Sequence, residues 1–256
     1  MDATDELIRA EHVYVARGTN PVLRDVGVTV HRGETVAVLG GNGSGKSTLV
    51  KAIVGLLPHQ EGSIRLFGTP VARFRDWHKV GYVPQHGSIQ VPNATVREVA
   101  ASGRLPHRRP FLPMSHADKE ALDHALDVVG LADRAHWPFA ALSGGQKQRT
   151  LIARALATEP ELFIMDEPMA GVDLHSQDGL AELLGELVHR NDKGLLVVLH
   201  EIRSMEIDRR VTLCDGRLAD EDHLGHHDVG HGDHHPEADE HASAFGLDDP
   251  APEVRA

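Results

Sequence analysis

The chain lacks the features of a secreted or membrane-spanning protein. Its 256 residues include a single cysteine, Cys214, which excludes an internal disulfide and a cysteine-cluster zinc module and fits a reducing compartment. No apolar run approaches the roughly 20 residues that a membrane helix requires. Residues 1–6 are acidic, whereas a secretory signal begins basic and then turns apolar. We therefore expect a chain that does not span a membrane by itself.

Basic residues are also outnumbered by acidic residues. The formal net charge is -12, which argues against a nucleic-acid partner bound through a basic face. The acidic charge is concentrated at one end, because residues 220–256 hold eleven acidic residues and one arginine. With 41% hydrophobic residues, the chain can build a core. We expect a folded domain over residues 1–219 and a disordered, acidic, histidine-rich tail over residues 220–256.

The apolar pattern predicts an α/β domain. Residues 35–39 predict a strand, followed by a glycine loop and a helix from about Lys46 to Leu57, which together open a βαβ unit. Four prolines and a helical period over residues 118–130 predict a mostly helical lobe inserted at about residues 86–145. Residues 144–156 predict another helix. Residues 162–165 and 195–199 predict strands buried on both faces of a parallel sheet.

The glycine loop carries the strongest motif. It fits the P-loop pattern GxxxxGK[ST] between a predicted strand and a predicted helix, which is the context that the motif requires. Backbone N–H groups and the helix dipole would surround phosphates, Lys46 would reach the outer phosphates, and the Ser47 hydroxyl would bind Mg²⁺. The candidate phosphate-binding residues are Gly40, Gly41, Asn42, Gly43, Ser44, Gly45, Lys46, Ser47 and Thr48.

Residues 142–146, with the sequence LSGGQ, form a second candidate anion site. Ser143 can cap a helix, and Gly144 and Gly145 would let a phosphate approach the backbone amides. Gln146 completes the motif. Standing alone, Ser-Gly-Gly before a helix would be an ordinary turn.

A pair of carboxylates follows the apolar strand predicted at residues 162–165. Because such a strand ends at the carboxyl edge of the sheet, Asp166 would lie beside the P-loop and hold Mg²⁺ through water. Glu167 would then orient and polarise the attacking water.

These motifs, in this order, resemble the ABC (ATP-binding cassette) ATPases, whose LSGGQ signature is matched in all five positions. The resemblance covers about residues 7–218. It implies a P-loop NTPase core of the RecA-like type, with an N-terminal antiparallel β subdomain and an inserted helical subdomain. It also implies that the chain binds ATP with Mg²⁺ and hydrolyses it.

The resemblance assigns roles to further residues. Gln85 is similar to the Q-loop glutamine that senses Mg²⁺ and faces the membrane subunits, Asp173 to the D-loop aspartate at the dimer seam, and His200 to the switch histidine that contacts the γ-phosphate. The family usually stacks adenine on an aromatic residue. Here Arg17 aligns with that position and Tyr14 lies three residues earlier. A guanidinium plane stacks on a base over less area, so base selectivity stays open.

The resemblance also implies partners. The chain would form a homodimer in which each nucleotide lies between the P-loop of one copy and the signature of the other. The dimer would drive two membrane-spanning permease subunits and sit peripherally on the cytoplasmic face of the cell membrane.

The cargo is suggested by two weaker patterns. Residues 80–85, 95–99 and 102–104 resemble the ATPases of zinc/manganese-type metal importers, which implies an extracellular or periplasmic metal-binding protein acting through the permease. Neutral imidazole suits Zn²⁺, Ni²⁺ and Cu²⁺, whereas Mn²⁺ favours carboxylate and carbonyl oxygen. The tail offers candidate zinc ligands within nineteen residues, namely His223, His226, His227, His231, His234, His235 and His241.

Three alternatives stay open at this stage. An ABC exporter, or an importer of another solute, uses the same cassette chemistry with an incidental, solubilising tail. A non-transport ABC ATPase belongs to another class, but such proteins carry long coiled-coil insertions, zinc modules or paired cassettes, and only 57 residues separate Gln85 from Ser143. A metal-buffering protein would leave the catalytic motifs unexplained.

Overall fold

Two sheets of different construction and a set of helices make up the described part of the computed structural model, which covers residues 5–85, 91, 93–108, 112–170, 172, 174–189, 192–199 and 205–223. These residues belong to one compact unit that spans Met1–His226. The strands are β1 (Glu6–Arg17), β2 (Asn20–His31), β3 (Thr35–Leu39), β4 (Glu61–Leu66), β5 (Thr69–Pro70), β6 (Val80–Val83), β7 (Leu162–Asp166), β8 (Gly194–Val198), β9 (Arg209–Cys214) and β10 (Arg217–His223). The α-helices are α1 (Lys46–Ile53), α2 (Val96–Ala101), α3 (His116–Val128), α4 (Gly144–Leu156) and α5 (Leu174–His189).

The larger sheet has the strand order β10-β9-β3-β8-β7-β6. All of its neighbouring strands are parallel except the antiparallel pair β9 and β10. Every residue of β7 and β8 is buried, as their continuous apolar sequences predict for strands covered on both faces. The carboxyl ends of β3, β6, β7 and β8 therefore meet at one edge. The P-loop follows β3, Gln85 follows β6, and Asp166 and Glu167 lie at the end of β7.

The smaller sheet has the order β2-β1-β4-β5 and is antiparallel throughout. Alternate residues of the long strands β1 and β2 are buried in the core that also receives one face of α1. This sheet is the predicted N-terminal antiparallel β subdomain, and the α/β fold class is confirmed.

The predicted helical lobe contains α2, α3 and several turns of 3-10 helix. Both α-helices begin at capping boxes, Thr95 with Glu98 and Ser115 with Asp118, which fix where each helix starts. Because of the second box, α3 begins two residues before the predicted residue 118. Helix α4 has the predicted bounds, whereas α1 ends at Ile53, four residues before the predicted Leu57.

The predicted boundary between domain and tail, at residues 219 and 220, is too early. Strand β10 continues through residues 220–223, and His223 is paired in register with Arg209 of β9. The acidic residues there lack the apolar alternation that predicts a strand, but β9 offers an open edge whose backbone groups pair with any chain. His223 thus belongs to the folded domain by its backbone, and residues 224–256 lie outside the described residues.

Within the described residues, no helix combines the length and apolar character needed to cross a membrane.

Candidate active site

The loop between β3 and α1 requires glycine at two positions. Gly40 has φ +144°, and a Cβ there would lie 2.2 Å from the carbonyl oxygen of Leu213 in β9. Gly45 has φ +108°, and its Cβ would lie 2.7 Å from Leu23 Cδ2 in β2. Both positions combine a backbone conformation that favours glycine with a close approach of another strand.

The turn between β9 and β10 is hydrogen-bonded to the same loop. The Gly216 N–H donates to the Ser44 carbonyl at 3.1 Å, and the Gly216 carbonyl accepts from the Arg24 N–H at 2.7 Å. The P-loop backbone is therefore fixed by segments that are far apart in the sequence.

Lys46 lies over the loop that precedes it. Its Nζ donates to the carbonyl oxygens of Gly40 at 2.7 Å and Gly41 at 3.0 Å, and the side chain is buried. The Ser44 hydroxyl is also buried and has no hydrogen-bond partner among the described residues. An ammonium group and an unpaired hydroxyl beside a helix N-terminus form a site that suits an anion such as a phosphate.

Ser47 and Asp166 bring α1 and β7 into contact. The Ser47 hydroxyl donates to Asp166 Oδ1 at 3.1 Å, while Asp166 Oδ2 is buried and finds no hydrogen-bond partner in the part of the chain that the structure describes. Burial raises the pKa of Asp166; the bond from Ser47 opposes the shift, and the nearby charge of Glu167 adds to it. A hydroxyl next to an unpaired, buried carboxylate oxygen is an oxygen donor set of the kind that Mg²⁺ accepts, so the residues fit this ion.

Sequence reasoning missed a second ammonium group near Asp166. The charges of Lys51 and Lys46 both act to lower its pKa. Lys51 follows Ser47 by four residues on α1 and therefore shares its helix face, which is the signal that could have identified it.

Glu167 is fixed at the end of β7 by its backbone and its side chain. Its N–H donates to the carbonyl oxygen of Val198 at the end of β8, at 3.2 Å, and its Oε2 accepts from Gln85 Nε2 at 2.8 Å. The residue has φ +52°, an uncommon conformation for a side chain other than glycine or asparagine. Such strain persists only where the surroundings impose it, and it is concentrated at functional sites.

The LSGGQ segment begins α4 and is exposed at Ser143. The Ser143 hydroxyl accepts from the Gln146 N–H at 3.3 Å, and Gln146 Oε1 accepts from the Ser143 N–H at 3.1 Å. This capping box accounts for the serine and the glutamine of the motif. A Cβ on Gly145 would lie 3.6 Å from Val172 Cγ1, so the segment packs on the residue that precedes Asp173.

The remaining predicted residues are not joined to this cluster by any described contact. Arg17 is exposed at the end of β1, where it pairs with Asn20. Tyr14 is half-buried and pairs in register with Glu61 of β4. Asp173 and His200 lie outside the described residues.

The predicted tail ligands His226, His227, His231, His234, His235 and His241 lie outside the described residues as well. Among the residues whose positions are described, no three histidine, cysteine, aspartate or glutamate side chains are arranged to hold a metal ion.

Comparison with known families identifies the chain. Residues 23–170 match the family model described as ABC transporter. The chain belongs to the ABC transporter family. It is an ABC ATPase.

Curated relatives and solved structures agree with the assignment. The zinc uptake system ATP-binding protein ZurA of Listeria innocua is 41% identical over 77% of this chain and 78% of its own length. The manganese transport system ATP-binding protein MntB of Bacillus subtilis is 37% identical over 78% of this chain and 79% of its own. The dimeric structure of a bacterial ABC transporter cassette, 28% identical, superposes with a TM-score of 0.75 over 85% of this chain and 98% of that one.

We expect the Asp166→Asn variant to be more stable than the parent when no nucleotide is bound. Because the folded pKa of Asp166 is raised, its ionised form destabilises the native state at neutral pH, and asparagine removes this cost. The advantage should shrink as the pH falls through the folded pKa toward the ordinary value of 3.8. Urea unfolding at pH 7 and pH 4.5 measures it.

The control is Asp127→Asn, which removes one carboxylate from an exposed position of α3 and should leave the unfolding midpoint unchanged. An Asp166→Asn variant that is less stable than the parent at pH 7 would contradict the assigned cost of burial.

Proposed function

We propose that this chain is the ATP-hydrolysing subunit of an importer for a transition metal ion, with Zn²⁺ as the main cargo. The observation that carries the ATPase mechanism is the pair of contacts at the end of β7. Ser47 reaches Asp166 at 3.1 Å, and Gln85 reaches Glu167 at 2.8 Å. The contacts involve three predicted motifs, namely the P-loop, the carboxylate pair and the segment that ends at Gln85.

Each residue of this cluster has its own role in phosphoryl transfer to water. Lys46 exchanges its bonds to the carbonyl oxygens of Gly40 and Gly41 for bonds to the outer phosphates of ATP, which are stronger because the acceptor is charged. Ser47 and Asp166 would hold Mg²⁺, which supplies positive charge beside the phosphates when bound. Glu167 orients the attacking water and accepts its proton.

Gln85 supports the position of Glu167. Its amide donates to Oε2 of the carboxylate at 2.8 Å and so holds the group at the carboxyl end of β7. Because Gln85 is exposed and follows β6, we assign it the role of linking this site to the permease subunits.

The signature segment completes the site in a dimer. Ser143 is exposed, and the first N–H groups of α4 can bind the terminal phosphate held by another copy. The dimeric cassette structure, which this chain matches over 85% of its length, supports two copies as the working unit. The same proposal assigns roles to three further residues. His200 is the switch histidine, Asp173 is the D-loop aspartate, and Arg17 lies beside the adenine. The dimer would act on two permease subunits at the cytoplasmic face of the membrane.

The Glu167→Gln variant tests this mechanism. Glutamine keeps the size and the bond from Gln85 but cannot accept the proton, so turnover should fall by about 100-fold or more while ATP binding persists. Gel filtration with ATP should show the variant as a stable dimer. Adding Ser143→Arg as a second substitution should abolish that dimer while nucleotide binding to the monomer is kept. Near-normal turnover of Glu167→Gln would place the base elsewhere.

The metal cargo is supported by the relatives and by the residues that resemble metal-importer ATPases. ZurA and MntB carry zinc and manganese in their names, and the first is the more similar, at 41% against 37% identity. Cells that lack this chain should take up radioactive Zn²⁺ more slowly, and the chain with Lys46→Ala should not restore uptake. Loss of Mn²⁺ uptake with unchanged Zn²⁺ uptake would reassign the cargo, and faster loss of metal from parent cells than from the mutant would indicate an exporter.

We also propose that the histidines beyond β10 bind zinc and take no part in hydrolysis. Imidazole must be neutral to bind a metal ion, so zinc affinity should weaken as the pH falls through about 6.5. The test compares the full chain with a chain truncated after Leu224, which keeps the whole of β10. Titration calorimetry should show that truncation removes most zinc binding and leaves basal ATPase activity intact. Equal zinc binding by both forms, or a preference for Mn²⁺, would refute the proposal.

A further inference from the structure

Helix α4 connects the two halves of the composite site. It begins at the signature residue Ser143, and its last turn leads through residues 157–161 into β7, which ends at Asp166. Its thirteen residues form a rod about 20 Å long. A tilt of about 3° at its C-terminal end would therefore move the signature by about 1 Å.

A buried arginine holds that C-terminal end. Arg104 is 5% exposed, and its Nη1 donates to the Ala157 carbonyl at 2.8 Å and to Glu159 at 2.6 Å. Its Nε donates to Asp118 Oδ1 at 2.9 Å, and Asp118 also belongs to the capping box of α3 with Ser115. One guanidinium thus joins the start of α3 to the end of α4. A cation at this end also interacts favourably with the helix dipole.

Other residues of the 3-10 helix Ser102–His107 contact the same C-terminal end of α4. A Cβ on Gly103 would lie 2.0 Å from the Arg154 carbonyl oxygen, so glycine alone permits this approach. The Thr158 hydroxyl donates to the Gly103 carbonyl at 3.1 Å, and a ring nitrogen of His107 lies 2.9 Å from the Thr158 carbonyl oxygen. We call residues 103, 104, 107 and 158 the helix clamp.

We propose that Arg104, through the helix clamp, is a positioning residue for ATP hydrolysis. It fixes the C-terminal end of α4. It thereby sets the position of the LSGGQ segment relative to the nucleotide that the partner copy binds. The clamp contacts neither the P-loop nor Asp166 through any described bond, so it acts on the composite site and not on nucleotide binding by a single copy. This inference rests on the proposed function, since it requires that the signature serve a second copy.

The Arg104→Lys variant keeps the charge but loses the planar fork that holds three partners at once. A displacement of about 1 Å costs up to about 100-fold in rate, and we expect turnover per dimer to fall at least about tenfold. The affinity of the isolated subunit for a nonhydrolysable ATP analogue should stay within about twofold, because the P-loop is untouched. If Arg104 had a merely structural role, turnover and binding of the analogue would fall together, in proportion to the unfolded fraction.

The matched control is Arg97→Lys. Arg97 lies in the same lobe and pairs with Asp123 of α3 at 2.5 Å, but its partner belongs to neither α4 nor the residues after it. It should keep parental turnover.

If Arg104→Lys does not fold, Thr158→Val decides the matter. It removes only the hydroxyl between Gly103 and α4 at nearly constant volume, and turnover should fall by about threefold, equivalent to one weak hydrogen bond, at parental analogue affinity. Parental turnover of the folded Arg104→Lys variant, or of Thr158→Val in its place, would overturn the helix clamp. A parent with no ATP turnover would overturn the proposed function itself.

Discussion

The burial of β7 and β8 on both faces is the constraint on which the rest of this cassette depends. Two strands covered on both sides can expose functional groups only where they end. The carboxylates of Asp166 and Glu167 therefore stand at the same edge as the P-loop that follows β3. Hydrophobic packing, which has no direction of its own, places the charged groups through the geometry of the parallel sheet.

The same edge concentrates unfavourable local features. Within the described ranges of the chain, one oxygen of the buried Asp166 and the hydroxyl of Ser44 have no hydrogen-bond partner, and Glu167 has a left-handed backbone. A fold optimised for stability alone would remove each of them, since unpaired buried polar atoms and positive φ angles both raise the free energy of the native state. Their coincidence at one place is typical of a functional site, where such local costs are retained.

Much of this arrangement was predictable because it follows from short-range patterns. The strand at residues 35–39 and the helix at 144–156 have the predicted bounds. A short apolar run between a turn and a glycine loop defines the first, and a capping box at Ser143 starts the second. The fold family followed from motifs whose spacing reflects one mechanism. What the sequence could not show depends on distant contacts. Strand β10 forms on the open edge of β9 despite its acidic composition. Arg104 is buried by contacts with Asp118 and Ala157, which lie 14 and 53 residues further along the chain.

The support of the P-loop by the β9–β10 turn limits how this chain can be rearranged. Asp215 and Gly216 form the two-residue turn of a hairpin, and Asp215 is exposed, so the turn resembles the positions where new termini or inserted domains are ordinarily tolerated. Here the backbone of Gly216 is bonded to both Ser44 and Arg24. A circular permutation or a fluorescent-protein insertion at this tip would therefore disturb the phosphate loop, although the two are about 170 residues apart in the sequence.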